Sequence, residues 1–142
     1  MLEKLAIGVG LVCLTTIIHA SFMVAGVALA NRRLARHGPS RYDLAKAVSV
    51  SLFTAWLFIG VMVEVLVWAL VYLYTPGITA LPDLETALYF SMVTFTTIGY
   101  GDVVLSGPWR ILASIQGANG VIIFGWTTAL IFYHIQHVYA RH

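Results

Sequence analysis

Apolar residues dominate three long stretches of the chain. Residues 5–30 hold no Asp, Glu, Lys or Arg, residues 47–74 hold one (Glu64), and residues 111–140 hold none. Each stretch exceeds the ~20 residues that a helix needs to cross a bilayer. Backbone polar groups in lipid must be paired within the segment, so each stretch is expected to be a helix. The pattern predicts transmembrane helices over 1–30, 47–74 and 109–140. Residues 76–108 are more polar and are broken by Pro76-Gly77 and Leu81-Pro82-Asp83. Asp83 can cap a helix whose first turn holds Glu85, favourable at the positive end of the helix dipole. That helix, over 84–96, reaches about 20 Å, enough to enter a membrane but not to cross it.

Composition sharpens this picture. Of 142 residues, 60% are hydrophobic and 10% charged, with a net charge of +2. So few charges cannot cover the surface of a soluble fold, which argues against a soluble enzyme, a disordered chain or a nucleic-acid-binding domain. Cys13 is the single cysteine and is expected to be a buried, inert thiol. Five of the eight basic residues (Arg32, Arg33, Arg36, Arg41 and Lys46) fall within 31–46. Short basic loops stay cytoplasmic, which puts the N-terminus outside and the C-terminus inside. Gly38-Pro39 should break the first helix, and Ser40 or Asp43 can cap the next. Trp68, Tyr72 and Tyr74 are expected to form an interfacial belt. Ala28-Leu29-Ala30 fits a signal-peptide cleavage pattern, but the apolar run is too long and its basic residues follow it.

The segment Thr96-Thr97-Ile98-Gly99-Tyr100-Gly101-Asp102 carries the chemistry. Glycine permits backbone angles closed to other residues, and alternating it with ordinary residues can point successive carbonyls to one side. Irregular backbone at membrane depth survives only where it is buried in protein or lines a cavity. Several such strands around an axis make rings of carbonyl oxygens that replace a cation's hydration shell.

Thr97-Ile98-Gly99-Tyr100-Gly101-Asp102 resembles the selectivity-filter signature of the potassium-channel pore-domain family, with Ile for the common Val. The resemblance covers about residues 47–140. Residues 87–97 look like the pore helix, Trp109-Arg110-Ile111-Leu112 like the start of the inner helix, and residues 119–125 like its hinge region. It implies an all-α membrane protein with a re-entrant pore helix and a four-fold channel. The domains are then an N-terminal helix (1–30), a basic cytoplasmic loop (31–46) and a pore module (47–142). Thr97, Ile98, Gly99 and Tyr100 would ligate K+, Gly101 would allow the turn to the mouth, and Thr96, Tyr89 and Asp102 would support the filter. Gly120 is the hinge candidate, and Val121, Phe124 and Thr128 match cavity-lining positions. The partners implied are membrane lipid, K+ and three further copies of the chain. No cofactor and no nucleic acid are expected. A weakly selective cation channel or a non-conducting regulatory subunit remains an alternative.

The chain departs from the family pattern at several positions. No proline closely follows the filter aspartate. The paired pore-helix tryptophans are Tyr89 and Phe90, and the position of a bracing carboxylate is Val93. Tyr89 is expected to bond Asp102 instead. There is no ladder of arginines within a span, so no voltage sensor is expected, and no ligand-binding domain is expected after His142. A carboxylate facing lipid costs about 2.5–3.5 kcal/mol on insertion scales, so Glu64 should face Asn119, Gln116 or His19. Glu64 and Asn119 are candidate intramembrane modulators, with a plain structural hydrogen bond preferred. Gly117, Gly120 and Gly125 each cost ~1 kcal/mol in a helix, which close packing or a hinge would explain. His134 and His137 share a face near the cytoplasmic end.

Overall fold

The computed structural model describes residues 2–37 and 43–139. Four α-helices and one 3-10 turn make up the fold: α1 (Leu2–His37), α2 (Asp43–Tyr74), α3 (Leu84–Phe95), the turn Gly107–Trp109 and α4 (Arg110–Tyr139). There is no strand among the described residues. Leu2–Arg33, Leu44–Tyr74 and Gly107–Tyr139 are long and apolar enough to cross a membrane.

The first two long helices outrun the expected spans. Residues 31–37 continue α1 and residues 43–46 already belong to α2, where a loop over 31–46 was expected. Arg, Leu and Ala are good helix formers, and a helix does not stop where its apolar stretch ends. Gly38, Pro39, Ser40 and Arg41 lie outside the described residues. Arg32 and Arg33 are therefore exposed helical residues of α1 and not part of a loop.

α2 supplies the central stripe. Leu57, Val61, Val65, Trp68 and Tyr72 recur at helical spacing and are all buried. Its opposite face, with Phe58, Ile59 and Leu66, stays exposed, as lipid-facing side chains would be. α3 packs against the end of this stripe, and that overturns one expectation. Trp68 and Tyr72 are not a surface belt; both are fully buried, and Tyr72 meets Phe90 edge-on at 5.2 Å. Of the three aromatics only Tyr74 is exposed. Cys13 is likewise exposed on α1 rather than buried, because α1 presents its Leu11–Thr15–His19 side inward.

Small residues set the helix spacings. A Cβ on Gly8 would lie 2.6 Å from Ile115, one on Gly26 would lie 2.9 Å from Trp56, and one on Gly60 would lie 2.9 Å from Phe22. The tightest approach is at Gly120, where a Cβ would fall 1.9 Å from the Phe95 carbonyl oxygen. This neighbour is backbone and cannot swing aside. Helix α4 thus crosses the C-terminal end of α3 at a point where only glycine fits. Gly125 has open space around it.

Gly120→Ala should therefore destabilise the protein by about 1–3 kcal/mol or more, the cost of overpacking a close contact. Gly125→Ala should leave stability unchanged or raise it by up to about 1 kcal/mol. Thermal unfolding of the two variants in detergent checks both outcomes.

Candidate functional site

Helix α3 starts and ends on specific contacts. Asp83 caps it, accepting the Thr86 N–H at 2.8 Å, and that bond holds the Asp83 carboxyl below its usual range. At the other end the Thr96 N–H reaches the Met92 carbonyl at 3.0 Å, and the Thr96 hydroxyl reaches it at 2.8 Å. The helix closes at Phe95, one residue before the expected boundary.

The chain then leaves regular structure. Thr97, Gly99 and Gly101 all take left-handed backbone angles, with φ of 61°, 50° and 80°. The residues between them, Ile98 and Tyr100, do not. Hand thus alternates along the segment, so it coils into neither helix nor strand. A left-handed angle is free for glycine but strained for the β-branched Thr97. Main-chain bonds hold this geometry: the Thr97 N–H donates to the Thr94 carbonyl at 3.0 Å, and the Gly99 N–H donates to the Val93 carbonyl at 3.1 Å. The Val93 side chain can offer Asp102 no hydrogen bond, so only its main-chain carbonyl takes part, and it holds Gly99 rather than Asp102.

The mouth of the segment is tied by a side chain. The Tyr89 hydroxyl donates to Asp102 Oδ2 at 2.6 Å, and the Val103 N–H donates to Oδ1 at 3.0 Å. Both carboxylate oxygens are thereby used. The tyrosine bond is the main reason the Asp102 carboxyl sits below its ordinary range, and it pushes the Tyr89 hydroxyl up. The two aromatic positions of α3 divide their work, since Phe90 is buried against Tyr72 while Tyr89 reaches the surface.

Behind α3 lies a buried polar relay. Tyr72 donates to Gln116 Oε1 at 2.8 Å, and the Gln116 amide donates to the Ser91 hydroxyl at 2.7 Å and carbonyl at 3.2 Å. Ser91 donates in turn to the Val65 carbonyl at 2.8 Å. The relay joins α2, α3 and α4. The sequence points to Gln116 only as a partner of Glu64 and does not set Ser91 apart. A serine and a glutamine within apolar runs were the available signal, since polar groups there must find partners.

Glu64 is fully buried and faces His19 on α1, with Nδ1 and Oε1 2.9 Å apart. It meets neither Asn119 nor Gln116 through a hydrogen bond. Asn119 instead donates to the Thr15 hydroxyl at 2.9 Å, one turn from His19 on α1. The Thr127 hydroxyl donates to the Ile123 carbonyl at 2.8 Å and lies 3.3 Å from His19 Nε2. His19, Glu64, Thr15, Asn119 and Thr127 thus form a seam joining α1 to α2 and α4.

The remaining candidates spread along α4. Val121 and Thr128 are exposed, while Phe124 is half-buried, edge-on to Phe95 at 5.8 Å. His134 turns toward α2, stacked on Phe53 at 4.2 Å, whereas His137 stacks on Tyr133. The two histidines therefore do not act on one partner.

His19→Ala should cost about 3–5 kcal/mol, because it leaves a buried carboxylate without its partner. Adding Glu64→Leu should recover much of that loss. Unfolding midpoints of the two singles and the double variant check the coupling.

A protein-family model described as "Ion channel" matches residues 60–136, more than half of the chain. The calcium-gated potassium channel TvoK of Thermoplasma volcanium is 45% identical over 47 residues. That match covers 32% of this chain and 14% of the relative's length. No solved structure gives a significant match.

Proposed function

The chain belongs to the ion-channel family, is a multi-pass membrane protein and is no enzyme; from that premise we propose that it is a potassium-selective channel subunit. Four copies surround an axis, and each contributes one filter strand. Helix α3 is the re-entrant pore helix, α2 the outer helix and α4 the inner helix. Conduction is passive and needs no cofactor. The N-terminus lies outside and the C-terminus in the cytoplasm, a reading that the basic residues of 31–46 support.

One observation carries this reading: the left-handed backbone at Thr97, Gly99 and Gly101, set directly after a buried helix. Alternating hand allows the carbonyls of Thr97, Ile98, Gly99 and Tyr100 to face one side. Four such strands would give stacked oxygen rings that stand in for the hydration shell of K+. The Thr97 hydroxyl would add the innermost ring. Ile98 and Tyr100 are 55% and 71% exposed in the single chain, on a segment that could not stay unpartnered in a membrane. The potassium channel that shares 45% identity over 47 residues supports the choice of ion.

The other residues take supporting roles. Asp102 attracts cations at the mouth and is held there by Tyr89, while Thr96 closes the helix that aims the filter. Val121, Phe124 and Thr128 line the cavity below. Gly120 packs against the Phe95 carbonyl, which supports the close-packing role of the two that the sequence left open. Glu64 and Asn119 fasten α1 to the pore module through His19 and Thr15.

Purified protein in liposomes should pass K+ under a potassium gradient and no Na+ above leak under a sodium gradient. Equal flux of the two ions would identify a weakly selective channel. Silence at every pH and voltage would identify a regulatory subunit, and a monomer in the membrane would end the pore reading.

A second outcome concerns acid. Asp102 has a lowered pKa, so its bond to Tyr89 is complete above the ordinary carboxylate range and is lost only as pH falls through the lowered value. Tyr89→Phe should move the acid inhibition of outward-mouth conduction to higher pH. Single-channel currents recorded as the outer pH is lowered check the shift.

A further inference from the structure

At the basic end of the molecule, α1, α2 and α4 enclose a cleft of about 180 Å³. Its shape follows from glycine. Gly26 brings α1 against Trp56, where a Cβ would lie 2.9 Å from the indole, so the helices touch at the cleft's inner end. From there α1 runs one face past Leu29 to Arg33, seven residues or about 10 Å further on. Opposite it α2 runs past Leu52 to Ser49, also on one face. The walls are thus apolar, and the open end is polar.

The polar groups at that end are of one kind. Arg33 is exposed and carries a fixed positive charge, and no ion pair to it occurs among the described residues. Ser49 and His134 stand together in the wall, Oγ and Nε2 3.4 Å apart. All three can donate hydrogen bonds, and no carboxylate among the described residues lines the cleft. Such a lining repels a cation and suits a phosphate, which guanidinium can bind through two parallel bonds. Apolar walls under a phosphate site call for a ligand with a hydrocarbon tail. The flanking Arg32 and Arg33 mark the depth of the headgroups, where the cytoplasmic leaflet is anionic.

We propose that this cleft is a binding site for an anionic phospholipid. Arg33 and Ser49 hold the phosphate, and one acyl chain lies between α1 and α2 along Leu29, Leu52 and Trp56. The site would make lipid the cement between α1 and the pore module beyond the reach of the His19–Glu64 seam. It rests on membrane residence and on the basic end facing the cytoplasm, and it does not depend on which ion the pore passes.

Native mass spectrometry of the detergent-solubilised full chain tests it, with phosphatidylglycerol, phosphatidylcholine and inorganic phosphate as probes. Phosphatidylglycerol should be retained about tenfold more strongly than phosphatidylcholine of the same chain length, a difference of about 1.4 kcal/mol. Arg33→Gln should reduce its retention about tenfold, one charge-assisted contact being worth at least that. Arg32→Gln, one residue away and off the cleft, should change it less than about twofold, because an exposed charge adds little. Ala30→Phe should fill the cleft and abolish retention with Arg33 in place. Circular dichroism and the oligomeric mass confirm that each variant is folded, and if Ala30→Phe is not, the two arginine variants decide. Equal retention of the two lipids, equal loss in the two arginine variants, or displacement of phosphatidylglycerol by inorganic phosphate would overturn the proposal.

Discussion

The backbone of Gly120 rests against the carbonyl of Phe95, and this contact decides where α3 can end. α4 comes so close to that terminus that a single methyl group would fall 1.9 Å from the oxygen. The segment that follows, Thr96 to Asp102, takes its position from this seat. The relay from Tyr72 through Gln116 and Ser91 to the Val65 carbonyl holds α3 from behind. Each bond in such a relay is worth only about 0.6 kcal/mol in a membrane, at most about 1.7. Their value here is that they fix register among α2, α3 and α4, which lipid-like apolar surfaces alone would leave free to slide.

The same constraint explains α1. Lipid offers apolar side chains no reason to prefer another helix, so packing and polar contacts must supply the preference. α1 meets its neighbours through both. Gly8, Gly26 and, from α2, Gly60 allow close approach. Thr15 and His19 on the inward face engage Asn119, Glu64 and Thr127. A buried pair of this kind is weak evidence for net stability, because desolvation offsets attraction. It does penalise every arrangement of α1 that leaves Glu64 alone. The clash-free positions and the paired positions coincide, and that coincidence gives α1 one place to sit.

The strained segment draws on this rigidity. A left-handed threonine costs on the order of 1–3 kcal/mol and persists only when its surroundings over-determine it. Here those surroundings are a helix capped at both ends, two main-chain bonds from Thr97 and Gly99 back to that helix, and the Tyr89–Asp102 bond at the far side. A backbone held this way is fixed before any ion arrives, which is what the proposed coordination of a cation demands.

Much of this was legible in the chain. Three long apolar stretches, with Glu64 as their one charged residue, and a capped short helix determine the element order, because a membrane leaves the backbone no alternative to helix. The Gly-Tyr-Gly alternation located the segment with unusual backbone, and a tyrosine one turn into α3 pointed to Asp102. Other features depended on geometry that periodicity does not carry. Trp68 and Tyr72 read as surface aromatics until α3 covered them, and Cys13 read as buried although α1 turns it outward. Glu64 had three candidate partners, and only the rotation of α1 chose His19. Sequence states which side chains need a partner and how deep they lie. Which partner each one finds depends on the rotation and separation of whole helices. Those are fixed jointly by distant glycines, so only the tertiary structure could decide them.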